Sequence, residues 1–249
     1  MDKIPKSHPR YESLMTRKKI SDAMEKGLVH ETGLIAHGRG EAFDYLVGEK
    51  TTVFADEGCK VAAAALLVAE KPVISVNGNV VALVGKECVS LSEKIPCKIE
   101  VNLFHRTKKR MKKLSDEMKK FGLKKVYGNK ADARIPGLEH DRGLCDKEGI
   151  FSSDAVLVPL EDGDRCQALK FMGKKVITID LNPLSRTAKT ADITIVDNVV
   201  RAVPNIEKWV RILKNEDKEK LKSLVDSWDN PKMLKEVCDY ISKRLKSLF

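Results

Sequence analysis

The sequence predicts an α/β fold, in which a mostly parallel sheet carries helices on both faces and a helical segment follows at the C-terminal end. Short apolar runs rich in β-branched residues alternate with helical patterns between residues 61 and 198, as in successive strand–helix units. From residue 205 onward the apolar residues have helical spacing only. We therefore divide the chain into an α/β nucleotide-binding domain, residues 1–206, and a helical cap or dimerisation segment of the same domain, residues 207–249.

The first part of the chain is predicted to be largely helical. The apolar spacing indicates a helix over residues 11–27. Residues 34–47 indicate a short apolar segment, then a glycine loop containing Gly38 and Gly40, then a helix. Residues 61–70, VAAAALLVAE, are apolar on every side and predict a buried helix.

The strands are predicted in the rest of the chain, together with two further helices. Five apolar runs predict strands, at residues 73–77, 98–104, 155–160, 176–180 and 191–198. After the first of them, Asn77-Gly78-Asn79 predicts a turn. Residues 106–125 form an amphipathic pattern that predicts a helix with a basic outer face, and residues 165–172 predict a short helix. Residues 128–150 have no regular pattern and are expected to be irregular.

The composition argues against several classes of protein. The chain of 249 residues has no apolar run of the ~18 residues that a membrane span needs, and its N-terminal residues form no signal segment. Its six cysteines form no C-x-x-C pair, which favours reduced thiols in the cytoplasm. The net charge is +10, but residues 106–125 alone hold ten basic against two acidic residues. Since aromatic residues make up only 5% and do not alternate with basic ones, nucleic-acid binding is not expected.

Polar residues follow each of the five predicted strands. They are Asn77, then His105 and Arg106, then the run from Glu161 to Arg165, then Asp180, and finally Asp197 with Asn198. In open α/β sheets, ligands bind beyond the carboxyl ends of the strands. Five such ends in one chain predict a shared polar mouth.

The connection between the last two strands is the most polar of these regions. A carboxylate such as Asp180 at a strand end can accept both hydroxyls of a ribose, and Asn182 with Pro183 would hold a rigid turn. Arg186 and Thr187 offer a cation and a hydroxyl to phosphate oxygens, and Asn198 can contact a base or a ribose. Each residue taken singly also fits a capped turn, in which Ser185 or Thr187 bonds the local backbone. As a set they favour nucleotide binding.

Other candidate site residues lie earlier in the chain and after the third strand. Arg39 between two glycines suits a phosphate clamp, whereas Arg17 is equally compatible with a surface cation. The acidic run from Glu161 to Asp164 suits Mg²⁺ or a solvated turn about equally. His37 and His105 are candidates for acid–base or substrate roles, and His8 and His30 are expected at the surface.

Seven segments of the chain, in this order, resemble one known family. They are SHPRYESL, GLIAHGRGEAFDYL, PVISVNGN, EVNLFHR, ARIPGLEH, VLVPLEDGDR and ITIDLNPLSRTA with ADITIVDN. The family is archaeal phosphopantothenate synthetase, also called 4-phosphopantoate–β-alanine ligase, and the resemblance covers roughly residues 4–206. It implies a cytoplasmic, homodimeric, Rossmann-like enzyme that uses ATP and Mg²⁺ to condense 4-phosphopantoate with β-alanine. The products would be 4-phosphopantothenate, AMP and diphosphate, in coenzyme A synthesis.

The resemblance also assigns residues to ATP. Carried over to matching positions, the ATP contacts are Arg17, Arg39, Asp180, Leu181, Asn182, Arg186, Thr187, Asn198 and Val199. Activation of a carboxylate through an acyl adenylate calls for positioned positive charge rather than a protein nucleophile. We therefore expect Arg17 and Arg39 to be the catalytic residues, acting on the ATP phosphates.

The substrate assignments depend only on placement near strand ends and loops. His105, Arg106 and Arg134 are predicted for the phosphate of 4-phosphopantoate, Asn77 and Asn102 for its carboxylate, and His37 for a substrate contact.

Two alternatives stay open at this point. One is another nucleotide-dependent enzyme of the NAD type, although the chain lacks the full G-x-G-x-x-G fingerprint. The other is a basic RNA- or nucleotide-binding protein that uses residues 106–125.

Overall fold

The computed structural model describes residues 4–248 and contains a five-stranded parallel sheet surrounded by helices. The helices are α1 (Tyr11–Glu25), α2 (Glu31–Val47), α3 (Val53–Val68), α4 (Gly78–Lys94), α5 (Lys108–Lys120), α6 (Gly163–Phe171), α7 (Arg186–Thr190), α8 (Val199–Leu213), α9 (Lys218–Asp226) and α10 (Asn230–Lys246). The strands are β1 (Pro72–Val76), β2 (Lys98–Val101), β3 (Ala133–Arg134), β4 (Leu144–Cys145), β5 (Ala155–Pro159), β6 (Lys175–Ile179) and β7 (Ile193–Ile195). Residues 1–3 of the predicted α/β domain and residue 249 of the predicted helical segment lie outside the described residues.

The strand order of the main sheet is β2-β1-β5-β6-β7, and all neighbours are parallel. Ile74 on β1 pairs with Ile99 on β2 and with Leu157 on β5. The chain therefore builds outward from β1 in one direction to β2 and in the other direction to β5, β6 and β7. Such a reversal opens a crevice between the two crossover connections at the carboxyl edge. The α/β prediction is confirmed.

Alternate residues of the strands face two separate apolar layers, as the two-residue period of a strand requires. Ile74 and Leu157 pack into the larger layer, which α1, α3, α4, α5, α8 and α9 complete. Val73 and Val156 face a smaller layer that contains α6 and the segment around β3 and β4. Helices on both faces of the sheet are therefore confirmed.

Two predicted helices have the burial that their patterns indicated. In α3 the residues from Val61 to Leu66 are all buried, and the four consecutive alanines allow α8 to pack closely on this helix. In α5 the apolar side, formed by Met111, Leu114 and Met118, is buried, while all of its lysines except the half-buried Lys113 are exposed. The basic face of α5 is thus the outer side of an amphipathic helix.

The predicted glycine loop in residues 34–47 is wrong, because α2 is continuous from Glu31 to Val47. His30 caps the N-terminus of this helix by accepting a hydrogen bond from the Thr32 N–H. Gly48, with φ of 100°, ends it in the left-handed conformation that glycine adopts at little cost. Interior glycines disfavour a helix by about 1 kcal/mol each. The caps at both ends and tertiary contacts outweigh that preference at Gly38 and Gly40.

Three other boundaries differ from the prediction. Asn77-Gly78-Asn79 is the N-terminus of the unpredicted helix α4 rather than a turn between strands. Strand β2 ends at Val101, and α8 starts at Val199, so positions 206 and 207 lie within one helix. The tail packs on the rest of the molecule through α9 on α3 and α10 on α2, α3, α7 and β7. Among the helices of residues 4–248, none is long and apolar enough to cross a membrane.

Glu100 on β2 attaches the irregular segment to the sheet. Its side chain is fully buried, and its two oxygens accept hydrogen bonds from the N–H groups of Asp146 at 3.1 Å and Ile150 at 2.7 Å. A Cβ at position 149 would lie 1.9 Å from the Glu100 carboxylate, so Gly149 permits this close approach. Burial raises the pKa of Glu100 to about 7 in spite of the two hydrogen bonds.

This raised pKa predicts a pH dependence of stability. The folded state holds the Glu100 proton more tightly than the unfolded state does, so the free energy of unfolding falls as the pH rises from about 4.5 to about 7. The expected contribution is at most about 3 kcal/mol. In Glu100→Gln, which has no titrating carboxyl at this position, the free energy of unfolding should fall less between pH 5 and pH 8 than in the wild type. Urea unfolding at the two pH values measures this difference. Glu148→Gln, an exposed control, should keep the wild-type profile; an unchanged profile in Glu100→Gln would contradict the prediction.

Candidate active site

A cleft of about 280 Å³ lies at the carboxyl edge of the sheet, where the strand order reverses. Its walls include residues 77–79 after β1, 103–105 after β2, 160–162 after β5, Leu181 after β6, and 198–199 after β7. All five strand ends therefore contribute to one cleft, as the sequence predicts. Helix α2 covers one side and contributes His37, Gly40 and Glu41 among others.

Four helices begin at this cleft, and each is capped by a residue of its wall. The caps are His30 for α2, Asn77 for α4, Asp162 for α6 and Asn198 for α8. The N-terminus of a helix carries partial positive charge and unpaired N–H groups, which favour anions. Three of the four caps, Asn77, Asp162 and Asn198, also follow a strand, so the polar residue after the strand starts the next helix. The cleft therefore suits anionic ligands.

Asn77 joins the two sides of the reversal. Its Oδ1 accepts from the Val80 N–H at 3.1 Å, which caps α4, and its Nδ2 donates to the Leu160 carbonyl at 3.1 Å. Leu160 has φ of 58°, in the left-handed region that leucine rarely adopts. The Asn77 amide thus ties the end of β1 to a strained residue after β5.

One end of the cleft is cationic. The rings of His30 and His105 stack with their centroids 4.0 Å apart. The Arg110 guanidinium donates to the His105 and Leu28 carbonyls, and its Nε is buried without a hydrogen-bond partner. Desolvation, followed by repulsion from His30 and Arg110, lowers the pKa of His105. Phe104 packs edge-on against His105 and forms part of the same wall.

The other end of the cleft holds buried carboxylates. The Glu161 side chain is fully buried, and its Oε2 lies 2.7 Å from Arg165 Nη1 and 3.7 Å from Arg142 Nη1. Arg165 is also fully buried and donates to Ser75 Oγ at 2.8 Å. Burial raises the pKa of Glu161 and lowers that of Arg165, while their pairing opposes both shifts. Asp162 Oδ2 lies 3.3 Å from Arg142 Nε.

This arrangement does not fit a protein-held Mg²⁺ in the acidic run at 161–164. Glu161 is paired with Arg142 and Arg165, and Asp164 is paired with Arg186. In the described part of the chain, no group of three or more His, Cys, Asp and Glu side chains is placed to hold a metal ion. The arginines offset much of the negative charge that would attract a divalent cation.

Eight of the candidate site residues line the cleft. They are His37, Asn77, His105, Glu161, Asp162, Leu181, Asn198 and Val199. Burial lowers the pKa of His37, which favours its neutral form. Asn198, besides capping α8, donates from its side chain to Asp44 of α2 at 2.9 Å.

Apart from Leu181, the predicted ATP residues of the crossover lie outside the cleft wall. Asp180 accepts from the Asn182 N–H and the Ser185 hydroxyl, and Ser185 in turn caps α7. Thr187 donates to the Glu161 carbonyl, and Arg186 pairs with Asp164. These bonds form the capped turn that was the structural alternative, so their assignment to ATP stays a prediction.

The two predicted catalytic arginines lie on α1 and α2. Arg17 is paired with Glu41 at 2.8 Å. Arg39 is exposed; burial raises the pKa of Asp180, and the charge of Arg39 opposes that rise. A Cβ at Gly40 would lie 3.6 Å from Leu181 Cδ1, so the middle of α2 adjoins the crossover. The catalytic roles of Arg17 and Arg39 stay predictions.

Three predicted substrate residues are bonded to the backbone. Asn102 is fully buried and donates to the Arg142 and Leu144 carbonyls. Arg106 donates to the Gly128 carbonyl, and Arg134 donates to the Leu138 and Glu139 carbonyls. These contacts order the segment after β2, and none of the three residues lines the cleft.

Sequence reasoning missed six polar residues of the cleft: His30, Thr32, Glu41, Asn79, Arg110 and Arg142. The prediction that His30 is merely a surface residue is wrong, although its position just before a helical pattern indicates a cap. Arg110 is one of ten basic residues between positions 106 and 125, so the sequence does not distinguish it from surface cations. Arg142 lies in a segment without a regular pattern. Asn79 donates to the Gly33 carbonyl at 2.9 Å, a contact that no local pattern indicates.

The reversal of the sheet, the helix N-termini and the polarised cleft define an α/β protein whose carboxyl edge holds a cleft suited to anionic small molecules. Residues 54–244 match the model of the phosphopantothenate/pantothenate synthetase family. The chain belongs to this family, which confirms the resemblance seen in the sequence motifs.

Several curated relatives match the whole chain. Over 249 residues it is 53% identical to a protein of Thermococcus onnurineus and to one of Thermococcus kodakarensis, covering 100% of this chain and 95% of each relative. Over 248 residues it is 50% identical to a protein of Methanosarcina mazei, covering 100% of this chain and 98% of the relative. All three relatives are named 4-phosphopantoate–β-alanine ligase.

The Asn77 side chain makes two hydrogen bonds, one to the start of α4 and one to the Leu160 carbonyl. Its loss should therefore lower the free energy of unfolding by more than the loss of an ordinary helix cap. Asn77→Ala removes the cap of α4 and leaves the Leu160 carbonyl without its donor, so we expect a loss of about 2–3 kcal/mol. Asn77→Ser retains a capping oxygen and should recover about half of that loss. Thr107→Ala, which removes only the cap of α5, should cost about 1 kcal/mol. Urea unfolding measures all three, and equal losses in Asn77→Ala and Thr107→Ala would refute this expectation.

Proposed function

We propose that this protein is an ATP-dependent ligase that joins 4-phosphopantoate to β-alanine and releases 4-phosphopantothenate, AMP and diphosphate, as a step of coenzyme A synthesis. The observation that carries the proposal is the 50–53% identity, over the full chain, to relatives named for this ligation. The cleft supports it independently, because helix N-termini and cations suit two anionic substrates.

The proposed reaction has two steps. A carboxylate oxygen of 4-phosphopantoate attacks the α-phosphorus of ATP, and diphosphate leaves to give an acyl adenylate. The amine of β-alanine then attacks the acyl carbon, AMP leaves, and the amine gives up its proton. The protein needs to position these groups and offset negative charge, and no protein nucleophile takes part.

We assign ATP to the side of the cleft where α2 adjoins the crossover after β6. Arg39 acts electrostatically on Asp180, and Leu181 lies against Gly40, so the predicted ATP residues of both regions are neighbours. Arg17 and Arg39 would contact the phosphates, and Leu181, Asn198 and Val199 would contact the nucleoside from the cleft wall. Mg²⁺ would arrive with the ATP phosphates, since the acidic run at 161–164 is occupied by arginines.

We assign the phosphate of 4-phosphopantoate to the cationic end. This end combines Arg110 with the stacked pair His30 and His105 and the N-terminus of α2. In this assignment Arg110 and His30 take the place of Arg106 and Arg134, which were predicted from the sequence for the phosphate. The guanidinium groups of Arg106 and Arg134 bond backbone carbonyls outside the cleft. The homodimer and the cytoplasmic location implied by the family resemblance are part of the same proposal.

The alternatives have less support. The glycines that suggested a dinucleotide loop lie inside α2 rather than between a strand and a helix. The basic helix α5 buries its apolar side in the core, and two of its lysines are paired with Asp116 and Glu117.

The proposal is tested by a turnover assay with ATP, Mg²⁺, 4-phosphopantoate and β-alanine, in which AMP and ADP are resolved. We expect AMP, formed only when both organic substrates are present. ADP in place of AMP would overturn the adenylate route, and no turnover would overturn the ligase assignment.

Replacement of Arg110 by Met should weaken the enzyme mainly toward the phosphorylated substrate. A charge-assisted contact to phosphate is worth roughly 1.5–3 kcal/mol, so we expect kcat/KM for 4-phosphopantoate to fall about 10–100-fold. The residual rate with unphosphorylated pantoate should change little. Lys109→Met removes a neighbouring charge of α5 outside the cleft and is the matched control. Equal losses with both substrates would show that Arg110 serves only the fold.

A further inference from the structure

A buried acid and a buried base in the cleft wall have incomplete hydrogen bonding. Glu161 Oε1 and Arg142 Nε are both shielded from solvent, and neither has a hydrogen-bond partner. The two side chains are 0% and 9% exposed, and both residues line the cleft. Asp162 Oδ2 lies 3.3 Å from Arg142 Nε but forms no hydrogen bond with it.

Buried polar atoms in native proteins are nearly always hydrogen-bonded, and an unpaired buried charge is costly. Arg165 accounts for one Glu161 oxygen, through a 2.7 Å contact, and leaves the other unused. The fixed pairing with Arg165 and Ser75 also holds Glu161 rigidly in the wall. An unused carboxylate oxygen beside an unused guanidinium N–H is complementary to a ligand that carries both charges.

We propose that Glu161 and Arg142 bind β-alanine, with Glu161 holding its ammonium group and Arg142 its carboxylate. This inference rests on the proposed ligase function and deepens it. Of the three substrates, only β-alanine carries a positive charge, and Glu161 with Asp162 would repel the phosphates of the other two. Arg142 Nη1 and Glu161 Oε2 are 3.7 Å apart, so the acid and the base are adjacent, and a zwitterion with only two carbons between its charged groups is short enough to contact both.

The assignment separates the substrates along the cleft. The cationic end, with Arg110 and His105, lies on the wall after β2, whereas Glu161 follows β5 across the reversal. Residues 77–79 lie between these two strand ends in the sheet order, since β1 separates β2 from β5. The acyl group of 4-phosphopantoate would then extend from the cationic end toward the amine held at Glu161.

The test is Glu161→Gln, which keeps the shape of the side chain and removes its charge. We expect KM for β-alanine to rise about 10–100-fold, because a charged hydrogen bond is lost. Exchange of labelled diphosphate into ATP, driven by 4-phosphopantoate without β-alanine, should stay near the wild-type rate. Inhibition by propionate, which lacks the ammonium group, should also stay unchanged. In Arg142→Met the propionate inhibition constant should rise, because the carboxylate contact is lost.

Glu139→Gln is the matched control, since Glu139 is exposed, lies three residues before Arg142 and does not line the cleft. An unchanged KM for β-alanine in folded Glu161→Gln overturns the inference, and so does a loss of diphosphate exchange as large as the loss of ligation. If Glu161→Gln does not fold, Glu161→Asp retains the charge with a shorter reach and should show the same selective rise in KM. A wild-type protein without turnover overturns the ligase function itself, which distinguishes the two failures.

Discussion

The reversal of strand order between β1 and β5 is the constraint on which the rest of the site depends. It separates the connections that follow the two strands, so their ends stand apart and leave a crevice at the carboxyl edge. The Asn77 side chain spans this crevice with one bond to the start of α4 and one to the Leu160 carbonyl. The positions of α4 and α6, and of the polar residues at their starts, follow from that junction.

Electrostatics then divide the cleft. Helix N-termini and Arg110 make one part attractive to anions, while the part after β5 contains carboxylates that arginines only partly neutralise. Burial strengthens both effects, because charges interact more strongly where water is excluded. A ligation between two anions and a zwitterion requires such a division, since a uniformly basic cleft would not discriminate the amine.

Much of the fold could be predicted from the sequence, because strands at 73–77, 155–160 and 176–180 and the all-apolar helix at 61–70 have strong local patterns. The continuity of α2 could not, since two interior glycines locally disfavour a helix that its caps and tertiary contacts maintain. Helix α4 was missed because its cap, Asn77-Gly78-Asn79, has the composition of a turn.

The candidate site was predictable in part, for a similar reason. Polar strand ends indicated the cleft, and Asn77, His105 and Asn198 line it. Arg110 and Arg142 come to the cleft through tertiary packing, so no spacing in the sequence distinguishes them from surface cations. Conversely, the polar residues from Asp180 to Thr187 chiefly bond one another and the adjoining loop, and sequence alone does not separate such turns from ligand contacts.

The four capping residues of the cleft also limit how its specificity can evolve. Because each cap begins a helix as well as lining the cleft, a substitution that alters ligand contact there also removes at least about 1 kcal/mol of stability. Phe104 and Leu83 line the same cleft and cap no helix. Mutational tolerance is therefore uneven around the wall, and new substrate preferences in this fold should arise first at the side chains that only line it.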